Sequence, residues 1–183
     1  MGQPIAFGDG ASGYLAVPAS GSGPGVVVIQ EWWGLNDQIE EVCDDLAGRG
    51  LVALAPDLYR GVETKEPDEA AKLMMALNLE RAGADMSGAI DALLARPEVV
   101  GSKVGVMGFC MGGGLTLLLG TQRPDAVGAV VPFYGVIPWA SHQPDWSRLA
   151  GAVQGHYAEL DESASPAAVA ELGATLEGLG KRA

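Results

Sequence analysis

The stretch Lys103-Val-Gly-Val-Met-Gly-Phe-Cys-Met-Gly-Gly-Gly-Leu-Thr, residues 103–116, restricts the fold of this chain more than any other. Its first half carries the alternating apolar run of a strand (Val104, Val106, then Phe109), and Leu115, Leu117, Leu118 and Leu119 continue as a helix. Between them stands Gly108-Phe109-Cys110-Met111-Gly112. A strand that passes into a helix across G-x-C-x-G is the frame of a nucleophile elbow, with cysteine where serine is usual. Such a turn is sharp and strained, and a Cβ at Gly108 or Gly112 would strike neighbouring backbone. The helix beginning beside Cys110 supplies unpaired N–H groups and the positive end of a dipole, which favour a thiolate. Two blander readings compete. Free cysteine is most often a small buried apolar residue, and glycine-rich loops also bind phosphate, although G-x-G-x-x-G and a Lys-Ser/Thr ending are both absent here.

The rest of the chain supplies the sheet that such a turn needs. Ile5–Phe7 and Tyr14–Val17 read as an antiparallel hairpin around Gly8-Asp9-Gly10. Val26-Val27-Val28-Ile29 and Leu51–Ala55 are continuous apolar runs, as in strands covered on both faces. Between them the spacing of Ile39, Val42, Cys43 and Leu46 predicts a helix over Asp37–Gly48, with Cys43 packed in the core. Helices are expected over Asp68–Leu77 and Glu80–Leu94, broken near Asn78. A buried strand is expected over Val127–Tyr134 and a further one over Ala152–Tyr157, with an irregular polar stretch over 137–149 between them. The last helix opens at Ser165-Pro166, an N-cap followed by proline at the first helical position, and runs to about Leu179 with Val169, Leu172 and Leu176 inward. Alternating strands and helices imply one α/β domain over residues 1–183, a mostly parallel sheet with helices on both faces. Functional groups then gather at the carboxyl ends of the strands. Glu31, Trp32, Cys110, Tyr134 and Asp161 all stand just after predicted strands.

Composition narrows the partners. A net charge of −12 and a pI near 4.4 argue against nucleic acid and against an anionic membrane. Glycine, 27 of 183 residues, is at about twice its usual share, as many tight strand–helix turns require. Two cysteines far apart are no disulfide framework, no leader opens Met1-Gly2-Gln3-Pro4, and no apolar run is long enough to span a membrane. A soluble cytoplasmic protein is expected. No His/Cys/Asp cluster has metal-ligand spacing, so neither a metal nor another cofactor is expected.

Four segments together resemble the dienelactone hydrolase family: Gln30-Glu31-Trp32-Trp33-Gly34-Leu35-Asn36, Ala55-Pro56-Asp57-Leu58-Tyr59, Gly105–Gly113 around Cys110, and Phe133-Tyr134-Gly135. The resemblance extends over nearly the whole chain. It implies an α/β-hydrolase fold and a Cys-Asp-His triad acting on a small-molecule ester or lactone, in a monomer or weak homodimer. By that similarity Cys110 is the nucleophile and Asp161 the triad acid, with Glu159 and Glu162 as local rivals. The N–H groups of Trp32 and Met111 form the oxyanion hole. Glu31 resembles the family's buried glutamate that accepts the thiol proton when substrate binds, or else it is a structural carboxylate. Tyr134 lines the cleft or packs in the core.

Two features depart from the family pattern. The only histidines, His142 and His156, precede Asp161, whereas the family's histidine follows the acid. The chain therefore reads as C-terminally incomplete, without the last strand and closing helix, and the alternative function is a non-catalytic binding or thiol-sensing protein. The helical segment before the elbow, Glu66-Pro67-Asp68-Glu69-Ala70-Ala71, also lacks the basic and tyrosine side chains that hold a carboxylate in dienelactone-processing members. Arg60 and Arg81 remain as substrate-binding residues.

Overall fold

The computed structural model describes residues 2–139 and 141–183; Met1 and Ala140, the latter within the stretch expected to be irregular, lie outside the described residues. Among the described residues, seven strands form one sheet in the order β1-β2-β4-β3-β5-β6-β7. They are β1 (Gln3–Phe7), β2 (Ala11–Ala16), β3 (Gly25–Ile29), β4 (Val52–Pro56), β5 (Val104–Phe109), β6 (Val127–Phe133) and β7 (Ala152–Val153). The hairpin β1-β2 is antiparallel and joins β4 antiparallel, while β4, β3, β5, β6 and β7 run parallel. The hairpin and the parallel core match the sequence pattern.

Helices cover the two faces unequally. On one face α1 (Asp37–Gly48) packs Ile39, Cys43 and Ala47 against Tyr14, Ala16, Val28, Ala53 and Ala55. Cys43 is fully buried there, as its helical spacing predicts. The opposite face holds the larger core, formed with α3 (Leu79–Leu94), α4 (Met111–Gln122) and Leu176 of α5 (Pro166–Gly178). The expected break near Asn78 is a helix boundary: α2 (Pro67–Met75) stops, and the Asn78 side chain accepts the Arg81 N–H at 2.9 Å to cap α3. Ser165 caps α5 in the same way through the Ala168 N–H.

The strand expected over Ala152–Tyr157 is shorter than its sequence suggests. Only Ala152–Val153 forms a regular ladder, and a single bridge joins His156 to Phe133. Backbone pairing to β6 continues, with Gln154 N–H donating to Val130 and His156 N–H to Pro132. Gly155 offers no side chain to hold the segment flat against its neighbours. On its outer side, Val153 N–H donates to the Arg182 carbonyl.

Helix α4 fixes the position of everything that follows. From Met111 to Thr121 every residue is buried, so the helix has no solvent face and lies along β5 and β6. Its start is pressed against the end of β3. A Cβ on Gly112 would meet the carbonyls of Ile29 and Gln30, and one on Gly108 would meet the Gly112 carbonyl and the Ile29 side chain. These are rigid backbone contacts, so Gly112→Ala should lower stability by about 3 kcal/mol or more. Gly173→Ala in α5, where an added Cβ meets nothing within 4 Å, should be neutral or stabilising by up to ~1 kcal/mol. Urea denaturation of the two variants beside the parent checks the contrast.

Candidate functional site

Cys110 sits between β5 and α4 with φ +53° and ψ −119°, a left-handed conformation that a non-glycine residue holds only under constraint. Three constraints are visible. Its N–H donates to Phe133 O at 3.0 Å, its own carbonyl accepts the Gly113 N–H at 2.9 Å, and Gly108 and Gly112 allow the close approach on either side. The glycine-flanked turn is therefore the sharp elbow that the sequence pattern requires.

The thiol opens into a cleft of about 300 Å³ lined by Trp32, Met74, Met111, Tyr134, Pro138 and Ser163 among others. Trp32 leaves the end of β3, and Tyr134, at φ +40°, leaves the end of β6. Trp32 and Met111 thus reach the same cleft from two separate chain segments, and the Met111 N–H lies against the Cys110 sulfur. Glu31 approaches through its neighbour: the Tyr134 hydroxyl donates to Glu31 Oε1 at 2.8 Å. Burial first, and this hydrogen bond second, push the Tyr134 hydroxyl pKa well up. Tyr134 N–H in turn donates to the His156 carbonyl at 2.7 Å.

Asp161 is folded onto its own loop. Its Oδ1 accepts the N–H groups of Ser163 (2.7 Å) and Ala164 (3.0 Å), and both of those residues line the cleft. Its charge is felt at Cys110, while Glu159 and Glu162 are exposed.

Neither arginine lies on the cleft wall. Arg60 is tied to the buried Asp85 of α3 by two hydrogen bonds of 2.7 and 2.9 Å and also donates to the Gly10 carbonyl. Arg81 is exposed in the first turn of α3. Nor does either histidine reach the wall. The His156 ring stacks on Phe133 with centroids 4.4 Å apart, and exposed His142 lies beside the Ser141 hydroxyl.

The electrostatics run against the simple expectation of a helix-activated thiolate. Burial pushes the Cys110 thiol above its ordinary range, the Met111 N–H pulls it down, and the charges of Glu31 and Asp161 push it up again. The net direction is upward. Cys43 goes further, pushed to about 12 by burial and then by Asp44 and Glu40.

Several supporting groups escaped sequence reasoning. Fully buried Gln30 accepts the Leu58 N–H at 3.0 Å and so ties the end of β3 to the loop after β4. Asp57 accepts the Tyr59 N–H at 3.0 Å in that loop, and the Tyr59 hydroxyl lies 3.5 Å from Met111 Sδ. Their positions inside two recognised motifs were the available signal. Met74, Pro138 and Ser163 carried none, since only the tertiary fold brings them together. Among the described residues no group of three or more His, Cys, Asp or Glu side chains could hold a metal ion. No helix among them is long and apolar enough to cross a membrane.

An alkylation profile checks these electrostatics. Cys110 should react with iodoacetamide faster than Cys43 at every pH, with a rate still rising above pH ~8.5, the ordinary thiol value. Glu31→Gln removes a charge that raises the thiol pKa, so its profile should shift to lower pH. Peptide mapping that found Cys43 labelled first would contradict the assignment of the elbow.

Comparison with known proteins gives a consistent context. The family model described as the dienelactone hydrolase family matches residues 11–182. The chain is 42% identical to protein usf of Aquifex pyrophilus over 145 residues, 74% of this chain and 62% of that protein. It is 31% identical to a carboxymethylenebutenolidase of Pseudomonas putida over 128 residues, 65% of this chain and 53% of that enzyme. Among solved structures, a dienelactone hydrolase-like promiscuous phosphotriesterase from metagenomic libraries is 28% identical. It superposes with a TM-score of 0.84 over 99% of this chain and 78% of its own. The chain thus spans about three fifths of the length of the curated relatives it matches.

Proposed function

The chain belongs to the dienelactone hydrolase family, and on that premise we propose that it hydrolyses carboxylic esters or lactones through Cys110. The observation that carries the reading is the left-handed Cys110 on the wall of a cleft that Trp32 and Met111 also line, with the Met111 N–H hydrogen-bonded to the thiol. In this mechanism the Cys110 sulfur attacks the carbonyl carbon, and the C=O electron pair moves onto oxygen. The Trp32 and Met111 N–H groups hold that oxyanion. Collapse expels the alkoxide, which takes up a proton, and leaves a thioester on Cys110. Water then attacks the thioester, releasing the acid and restoring the thiol.

Glu31 is the acceptor of the thiol proton. A thiol raised above its usual range needs such a base at neutral pH, and the 2.8 Å hydrogen bond from Tyr134 holds the carboxylate in place until substrate enters. Asp161 takes the part of the triad acid that orients a histidine. Activation of the deacylating water is the step for which neither His142 nor His156 is placed, and general-base assistance is typically worth roughly 10²–10⁴-fold.

The proposal has a direct test. The 183-residue chain, mixed with excess 4-nitrophenyl acetate, should release a single rapid equivalent of nitrophenol and carry an acetyl group on Cys110 by intact mass and peptide mapping. Cys110→Ala should abolish the burst. Glu31→Gln should slow it by roughly 10²-fold, a typical value for lost general-base assistance, although the free thiol ionises more easily. A thiol that alkylates readily but is never acylated would mark a binding or thiol-sensing protein instead.

A further inference from the structure

We infer that the Cys110 cleft, as the described residues form it, selects neutral acyl compounds and turns away those carrying a carboxylate beside the reacting carbonyl. This rests on the reading of Cys110 as nucleophile and adds the charge class of its substrate. Among the described residues, the cleft wall holds no lysine, arginine or histidine; much of it is Trp32, Met74, Met111, Val136, Pro138 and Ala164. Two polar groups of the wall are already engaged. Tyr134 donates its hydroxyl to Glu31, and the Ser163 N–H is held by Asp161. Arg60 could answer a carboxylate only by leaving Asp85, whose side chain is 8% exposed and would be left as a buried, unpaired charge.

The charges that do reach the thiol, Glu31 and Asp161, are both negative. A substrate carboxylate entering the cleft would lose water against apolar walls without gaining a cation, and would meet the field of the two carboxylates that also acts on the thiol. A neutral ester or lactone meets neither penalty. The N–H groups beside the thiol offer an anion no refuge either, because the developing oxyanion uses them.

Alkylation separates this inference from the hydrolase reading, since it needs a reachable thiol and no turnover. Iodoacetamide and iodoacetate share a leaving group and differ by one charge, and the thiolate fraction cancels in the ratio of their rates. At low salt the amide-to-acetate ratio at Cys110 should exceed that of N-acetylcysteine by about tenfold, and it should narrow as salt screens the carboxylates. Met74→Arg, which sets a cation on the wall, should reduce the ratio several-fold. Glu31→Gln removes a charge at nearly constant volume and should reduce it as well, so the test does not depend on Met74→Arg folding. A wild-type ratio at or below that of N-acetylcysteine overturns the inference. So does faster acylation by mono-4-nitrophenyl succinate than by 4-nitrophenyl butyrate. The predicted ratio with no acylation by either ester would refute the hydrolase reading while upholding the charge selectivity.

Discussion

One backbone conformation organises this molecule: the left-handed turn at Cys110. It persists because rigid groups at the ends of two neighbouring strands surround it. The Ile29 and Gln30 carbonyls at the end of β3 crowd Gly112, and the Phe133 carbonyl at the end of β6 accepts the Cys110 N–H. None of these groups is a side chain that can relax. The turn is thus held by the sheet itself, and the cost of a strained residue is met by pairing and burial elsewhere in the core. The buried helix α4 follows from the same requirement, since its first turn must lie within contact of β3 and β6 at once.

The same geometry explains why the thiol is not simply activated. A helix N-terminus lowers a thiol's pKa most when water can also reach the anion. Here the close packing that creates the elbow also removes water from the sulfur, and burial is the largest influence on it. The carboxyl edge of the sheet then collects acidic groups, because Glu31 leaves β3 and Asp161 follows the segment paired with β6. In the proposed reaction, removal of the thiol proton is therefore a step of its own, assigned to the Glu31 carboxylate that the Tyr134 hydroxyl holds by a hydrogen bond.

Much of this was legible in the sequence, for physical reasons that can be named. β-branched runs such as Val26–Ile29 declare buried strands, and the spacing of Ile39, Val42, Cys43 and Leu46 declares a helix with Cys43 inside. Glycine on both sides of Cys110 announced the turn. The 152–157 segment was only half legible, because its composition allows a strand while Gly155 and the sparse pairing outside it do not sustain one. Met74, Pro138 and Ser163 were illegible as cleft walls, since they come from a helix end and two loops with no common period. The direction of the Cys110 shift was misjudged for a related reason. A motif reveals the helix terminus but not the burial and the two distant carboxylates that oppose it.

The placement of Phe133 also bears on how the protein is made. Cys110 takes its final conformation only when β5 pairs with β6, and the Phe133 carbonyl that holds its N–H lies later in the chain. β5 also pairs with β3, which comes from far earlier in the sequence. Contacts of such long range form late and slowly. A chain emerging from the ribosome therefore carries Cys110 as an ordinary solvent-exposed thiol until β6 has followed it out. During that interval the thiol has the reactivity of a free cysteine, open to oxidation or mixed disulfides. Closure of the sheet ends the exposure by drawing the sulfur into the wall of the cleft.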